Sequence, residues 1–301
     1  MNPSEIYDVV ILGTGPAGLQ AAVHAARKKV SVLVLGKETK SSLFHAHIEN
    51  FCCQFNVSGE EMLRNGRQQA EGFGAHFLEE DVLSLASGQE GFILKSENGK
   101  TISAAALIIA TGTQRNRLGV AGEKEFLGKG VSYCVDCDGN FYRGEHVAIV
   151  GDESAAVDGA LTMTEIAAEV HLVCDRLEVS IALKEKLQAS RIKLHRDSKV
   201  KTIQGDAQVT GLELHNGTVI PVGGVFIELG AKGLLQLATH MGILLDDEMR
   251  YIQTDKQQAT NIPGVYAAGD ICGPPWQMAK AVGEGCVAGI NAANYAKKHR
   301  K

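Results

Sequence analysis

Short apolar runs recur along the chain, and the most instructive of them end in glycine. Val9 to Leu12 is continuously apolar and runs into Gly13, Gly15 and Gly18. An alanine-rich stretch follows, then a second apolar run from Val30 to Leu35. The pattern predicts strand, turn, helix and strand in succession. A similar unit, "HVAIVGDESAAVDGALTMTEIAAEVHLVC", begins at His146, and two such units in one chain suggest duplication of one fold. Another strand end, "LIIATGT", covers 107–113. Far downstream a Pro263-Gly264 turn precedes a predicted strand from Val265 to Ala268, then Gly269-Asp270 and a small-residue helix from about Met278.

The first glycine run has the spacing that a dinucleotide requires. Gly13 makes the tight turn, Gly15 lets backbone approach a pyrophosphate, and Gly18 lets helix and strand pack closely. The helix N-terminus then turns its N–H groups toward the phosphates. The second strand ends in Gly36 rather than the usual acid, so ribose recognition differs in detail. Asp270 has a bland reading as a turn or helix cap. Beside the glycine loop and "LIIATGT", it reads better as a carboxylate delivered to an extended ligand.

Composition narrows the picture. The 301 residues suit two domains. Hydrophobic residues make up 45% and charged residues 22%, as in a soluble globular protein. A net charge of −5 and a pI of about 6.1 argue against bulk nucleic-acid binding, and the basic tail "AKKHRK" reads as a solvated helix end. No apolar run approaches the roughly 20 residues of a membrane span. No basic segment precedes the first apolar run, so no signal peptide is expected and a cytoplasmic location follows.

Seven cysteines, at 52, 53, 134, 137, 174, 272 and 286, form no regular framework. In a reducing compartment the pair in "YCVDCDGNFY" is therefore catalytic or metal-binding rather than a staple. A structural zinc needs four ligands, and neither a second CxxC nor a histidine pair at zinc spacing is present. His45 and His47, alternating with Ala46, suit a strand or loop face. The redox reading is preferred. On the first turn of a helix the leading cysteine ionises readily, and the thiolate is the form that attacks a disulfide. Asp138 stands ready to carry the proton of a leaving thiolate, or else caps a helix. Cys52, Cys53, Cys174, Cys272 and Cys286 read as small buried residues, with a vicinal Cys52–Cys53 disulfide as a second option.

The order "GTGPAG", "IEN", "IIATGT", "CVDCDGNFYRG", "VAIVG" and "PGVYAAGD" resembles the low-molecular-weight thioredoxin reductase family over nearly the whole chain. The resemblance implies an α/β fold of two interleaved Rossmann-like three-layer domains, usually as a homodimer. An FAD-binding domain would comprise 1–114 and 240–301, and a second, NAD(P)-type domain, 115–239, would carry the cysteines. It implies that Gly13, Gly15, Pro16, Ala17 and Gly18 hold the FAD pyrophosphate, that Asn50 lies against the flavin, and that Gly112 passes close to it. Asp270 would bind the ribityl or pyrophosphate region, with Gly36, Val82, Thr111, Gly269, Met278 and Ala279 completing the cofactor set. Cys137 would be the charge-transfer thiolate beside the flavin. Cys134 would attack the disulfide of a thioredoxin-like partner after a domain rotation, and Asp138 would manage the proton. This chain departs from the family where Phe51 is followed by Cys52-Cys53, where "KSSLF" replaces a glycine-rich segment, and at Trp276-Gln277-Met278 before the last helix.

The second loop, "VGDESAAV", keeps Gly151 and Ala156 but has Glu153 at the middle glycine. Like charges ~4 Å apart at an effective dielectric of about 20 repel by roughly 4 kcal/mol, on the order of a thousandfold in affinity for a pyrophosphate. The family's histidine and first arginine after the next strand are here Cys174 and Asp175, leaving Arg176. The expectation is a flavin disulfide reductase that does not use NADPH, as in branches of the family that draw electrons from ferredoxin. Arg27, Lys28, Lys29 and Lys37 would guide an acidic ferredoxin, although solvated helix ends explain them equally well. An NADPH- or NADH-linked reductase, a flavin-dependent dithiol oxidase and a redox-dead flavin scaffold are the alternatives, the last opposed by intact Cys134, Cys137 and Asp138.

Overall fold

The computed structural model describes residues 5–52, 54–88, 91–112, 117–230, 241–247 and 250–299. The chain divides into two compact units, one of Met1–Ser96, Lys100–Thr113 and Leu237–Lys301, the other of Glu97–Gly99 and Gln114–Gln236. The first unit opens with β1 (Glu5–Leu12), α1 (Pro16–Arg27), β2 (Val32–Leu35), the short pair β3 (His47–Ile48) and β4 (Val57–Ser58), α2 (Gly59–Gly72) and β5 (Ala75–Leu78). It continues through β6 (Val82–Gly88), β7 (Gly91–Ser96) and β8 (Thr101–Ile109). The second unit contains β9 (Val131–Ser132), α3 (Val135–Asp138), β10 (His146–Val150), α4 (Ser154–Met163), β11 (Glu169–Val173), α5 (Ile181–Gln188) and β12 (Lys193–His195). The strands β13 (Val200–Gly205), β14 (Val209–Leu214), β15 (Val219–Ile220) and β16 (Gly224–Ile227) complete it. The chain then returns to the first unit with β17 (Val265–Ala267) and α6 (Met278–His299). No described helix is long and apolar enough to cross a membrane.

The first unit is built on a sheet of order β5-β2-β1-β8-β7-β6, with β17 added to β8. β1, β2, β5, β8 and β17 are parallel, while β6 and β7 run antiparallel to their neighbours. β8 is shared: Thr101 to Ala104 pairs with β7 and Leu107 to Ile109 with β17. Val9, Val10 and Ile11 are fully buried, as strands covered on both faces must be. The alanine-rich character of α1 follows from its partner. A Cβ on Gly285 of α6 would stand 2.2 Å from Ala17 O, and one on Gly289 would stand 2.3 Å from Ala21 O. Only glycines facing small residues allow helix backbones this close.

Two predicted strand ends shift. The strand expected from Val30 begins at Val32, because Lys29 occupies the left-handed region (φ 58) and Ser31 is bound by a side chain. The Asp8 carboxylate accepts from Ser31 N at 2.6 Å and from its hydroxyl at 2.9 Å. The last strand ends at Ala267 rather than Ala268, although Ala268 N still donates to Ile109 O at 2.9 Å.

The second unit has a parallel sheet of order β12-β11-β10-β16-β9 and a separate antiparallel sheet β13-β14-β15. Ala148, Val150, Val173, Val225 and Ile227 of the first pack on Val200, Ile203, Leu212 and Leu214 of the second. In both units the leading strand has the next two parallel strands on one side, and antiparallel strands precede the return to its other side. This repeated connectivity is what the two similar sequence units predict.

Candidate functional site

The carboxyl ends of the first unit's parallel strands gather most of the expected cofactor residues. Gly13 has φ +114, and a Cβ there would stand 2.3 Å from Ala110 O; a Cβ on Gly18 would stand 1.9 Å from Gly13 O. Both glycines are fixed by the fold itself. Gly15 differs: a Cβ would find only Ser41 Oγ, at 3.5 Å. Nothing in the protein demands glycine there, and the open space before its backbone suits the close approach of a ligand. Gly15 is also the N-cap of α1 and supplies no side-chain cap, with Pro16 next. The first-turn N–H groups are thereby left to an anion. These features fit the pyrophosphate of FAD.

Other strand ends converge on the same loop. Gly13 lies against Ala110 and Thr111 at the end of β8, and Gly112 beyond it has φ +70. A Cβ on Gly36, at the end of β2, would stand 3.6 Å from Gly13 Cα. A Cβ on Gly269, after β17, would stand 2.9 Å from Ala17 Cβ. Asp270 beside it is half-buried, and burial pushes its carboxyl above the usual range, opposed in part by Lys280. Asn50 is brought in by its amide, which donates to Gln277 Oε1 at 2.9 Å, next to Met278 and Ala279 on the first turn of α6. Val82 opens β6 beside Asp81, whose carboxylate takes Lys37 Nζ at 2.8 Å. A cleft of about 470 Å³ lies there, lined by Lys37, Glu38, Thr39, Phe44, Arg67 and Glu79.

Sequence reasoning missed the support of this loop. Glu284 Oε2 accepts from Gly269 N at 2.8 Å and from Lys280 Nζ at 3.0 Å, while Lys280 also donates to Gly269 O. The only local signal was the Lys280–Glu284 spacing of one helical turn. Two of the four cations read as a docking set have partners in the fold: Lys37 pairs with Asp81, and Arg27 lies over the Phe73 ring at 5.6 Å.

The remaining cysteines meet expectation only in part. Cys174 is buried and its thiol is pushed up to about 11 by burial; Cys272 is pushed to about 12 for the same reason. Cys272 and Cys286 are only partly buried, and Cys52 is exposed, contrary to the reading of a small buried residue. Its loop lies outside the sheets, so no core reaches it. Cys53, and with it the vicinal disulfide, lies outside the described residues, as do domain boundaries 114–115 and 239–240.

In the second unit Cys134 and Cys137 form a disulfide. Cys134 is the N-cap of α3 and half-buried, whereas Cys137 is exposed. Cys137 N donates to Cys134 Sγ at 3.0 Å, and Cys134 N donates to Ser132 Oγ at 3.0 Å. The same Ser132 hydroxyl donates to Asp138 Oδ2 at 2.6 Å, so one buried serine sets both the turn and the acid. The signature glycine is explained by packing: a Cβ on Gly139 would stand 2.8 Å from Met163 Sδ on α4.

The second glycine loop is built differently from the first. A Cβ on Gly151 would stand 2.1 Å from Glu228 O, so the tight turn is kept, and Ala156 is fully buried. Glu153 is the N-cap of α4. Ala155 N, which in a working loop would face a phosphate, donates to Gly230 O at 3.3 Å. Asp152 Oδ1 accepts from Asp175 N at 2.7 Å and from Arg176 N at 3.3 Å, at the end of β11, and Asp175 pairs with Lys199 at 3.1 Å.

A glycine cradle on one Rossmann unit and a CxxC disulfide on the other define a flavin disulfide oxidoreductase. The chain belongs to the pyridine nucleotide-disulphide oxidoreductase family, which it matches over residues 7–285, and within it to the thioredoxin reductases. It is 35% identical to a thioredoxin reductase of Listeria monocytogenes over 306 residues, covering 98% of this chain and 95% of the relative. The crystal structure of the atypical thioredoxin reductase TRi from Desulfovibrio vulgaris Hildenborough matches with a TM-score of 0.86 at 35% identity, covering 97% of this chain and 98% of that one. A ferredoxin-flavin thioredoxin reductase from Clostridium acetobutylicum matches with a TM-score of 0.72 at 30% identity, covering 98% of this chain and 100% of that one. The chain is thus a thioredoxin reductase-like flavin disulfide oxidoreductase that uses FAD.

Proposed function

We propose that this flavoenzyme, a cytoplasmic homodimer, reduces the disulfide of a thioredoxin-like protein through Cys134 and Cys137. Its electrons come from a one-electron protein donor of the ferredoxin class rather than from NADPH. In this reading residues 1–114 and 240–301 bind FAD, through the glycines and Asp270 described above, and residues 115–239 retain a nucleotide fold without its ligand. The observation that carries the choice of donor is the second loop. Asp152, Glu153 and Asp175 bring three carboxylates to the strand ends where a dinucleotide would need backbone donors, and the Ala155 N–H is already engaged. The likeness to a ferredoxin-flavin thioredoxin reductase agrees with it.

Bound FAD would supply the chemistry of accepting electrons singly and delivering them in pairs. The protein's own part is thiol exchange. Reduction of the Cys134–Cys137 bond consumes two electrons and two protons. The Cys134 thiolate then attacks the partner disulfide, forming a mixed disulfide and releasing one partner sulfur, which takes a proton by way of Asp138. Cys137 gives up its proton and its thiolate attacks Cys134 Sγ, which restores the intramolecular disulfide and releases the second partner sulfur to take that second proton.

The test is an anaerobic titration of flavin absorbance with NADPH, NADH and reduced ferredoxin in turn. Bleaching by ferredoxin within a turnover time, and not by micromolar NADPH or NADH, is the expected result. Rapid bleaching by NADPH or NADH would make this an ordinary pyridine nucleotide-linked reductase.

A further inference from the structure

One buried carboxylate stands next to the redox turn without any part in the chemistry so far. Glu228 follows β16 directly and is 5% exposed. Its Oε1 accepts from Val135 N at 2.9 Å, across 93 residues of sequence. Val135 is the residue after Cys134, and its N–H is one that the start of α3 cannot satisfy internally. Gly159 of α4 makes room for the arrangement: a Cβ there would stand 3.0 Å from Val135 Cγ2 and 3.8 Å from Glu228 Cγ. The turn is therefore held from three sides, by Ser132 at Cys134 N, by Glu228 at Val135 N and by Met163 over Gly139.

We propose that Glu228 is a positioning residue for the Cys134–Cys137 pair: its carboxylate fixes the turn through Val135 N–H and sets a buried negative charge beside it that disfavours the Cys134 thiolate. The charge acts only on the reduced pair. When the disulfide has taken up two electrons and two protons, a Cys134 thiol that gives its proton to water becomes an anion one residue from the buried Glu228–Val135 contact. Destabilising that anion raises the free energy of the reduced state, which makes the pair a stronger reductant toward a partner disulfide.

The proposal rests on Cys134 and Cys137 being the redox pair, so its test uses chemically reduced protein and does not depend on the flavin. In a Cys137→Ser background, the flavin-loaded protein is alkylated with iodoacetamide across a pH series, and the Cys134 peptide is quantified by mass spectrometry. Glu228→Gln keeps an oxygen for Val135 N–H and removes the charge. It is expected to lower the thiolate midpoint by about one unit, roughly tenfold more thiolate at neutral pH. In the two-cysteine protein equilibrated with glutathione at pH 8.5, the same substitution is expected to shift the balance severalfold toward the dithiol. The other charged groups of the packed elements, Asp136 and Asp138 on the turn, Arg143 after it, Glu153 at the N-cap of α4 and Asp158 on α4, are unchanged, so the difference reads Glu228. Glu228→Leu removes the acceptor as well and is expected to speed exchange of the Val135 amide, which Glu228→Gln leaves protected. An unmoved midpoint in Glu228→Gln overturns the proposal, whether or not the leucine variant folds, since a merely structural role alters stability and leaves the titration in place.

Discussion

Glu123 offers the sharpest test of how the second unit is fastened. It is 2% exposed, and the donors that meet its carboxylate include Leu118 N at 3.0 Å, Gly119 N at 2.6 Å and Tyr133 OH at 2.7 Å. Burial alone would raise its pKa, but the bonds from Tyr133, Gly119, Leu118 and Val120 together outweigh it and hold the carboxyl below the ordinary value of 4.5. Glu123→Gln preserves the shape, yet turns an NH₂ toward backbone donors that need an acceptor. Leaving one or two part-buried donors unsatisfied costs about 1–3 kcal/mol. Expressed as local opening, that is a loss of about 5- to 150-fold in protection of the Leu118 and Gly119 amides. The measurement is hydrogen exchange at neutral pH. The sign with pH follows from linkage: a carboxyl whose folded pKa is depressed stabilises above its unfolded pKa and ceases to do so as pH falls through the folded one. The gap between wild type and Glu123→Gln should therefore be complete above the ordinary carboxylate value of 4.5 and narrow as pH falls through the lower folded-state value. A change in protection of less than about threefold at neutral pH would show that the carboxylate is not the fastener.

Two further outcomes bear on the sites. Gly15→Val should leave the apoprotein folded, because its neighbourhood has room, yet abolish FAD retention as read by flavin absorbance per chain; full flavin content would remove Gly15 from the cofactor site. Cys134→Ser should give a broad long-wavelength absorbance on reduction and trap a thioredoxin-like partner poorly, and the same pattern from Cys137→Ser instead would exchange the two roles.

What the sequence made legible was local. The glycine loop at 13–18, the buried run Val9 to Leu12 and the CxxC signature each occupy a few consecutive residues whose spacing carries the geometry. The start of α6 at Met278 was legible for the same reason. The contacts that complete the sites were not. Glu228 meets Val135 across 93 residues, Asn50 meets Gln277 across 227, and Asp152 reaches the exit of β11; such side-chain bonds leave no periodicity to read. The exposure of Cys52 was missed because hydrophobic character alone predicts burial, whereas a loop outside the sheets has no core to enter. Val30 was assigned to a strand on its apolar character, and the Asp8–Ser31 clasp that delays β2 left no such mark.

The sharing of β8 between β7 and β17 has a consequence for how the polypeptide is made. The first unit needs β17 beside β8 and α6 against α1, and both elements are synthesised after the whole of the second unit. The second unit is nearly continuous in sequence, from Gln114 to Gln236, so its contacts form early and over short loops. The flavin sheet has the opposite character: its closing contacts span most of the chain and carry a high loop-closure entropy. Until α6 emerges from the ribosome, the alanine face of α1 and the last strand position beside β8 stay open to water and to other chains. Nascent protein is therefore most vulnerable to aggregation through its N-terminal half, and the flavin cradle is among the last parts of the molecule to be completed.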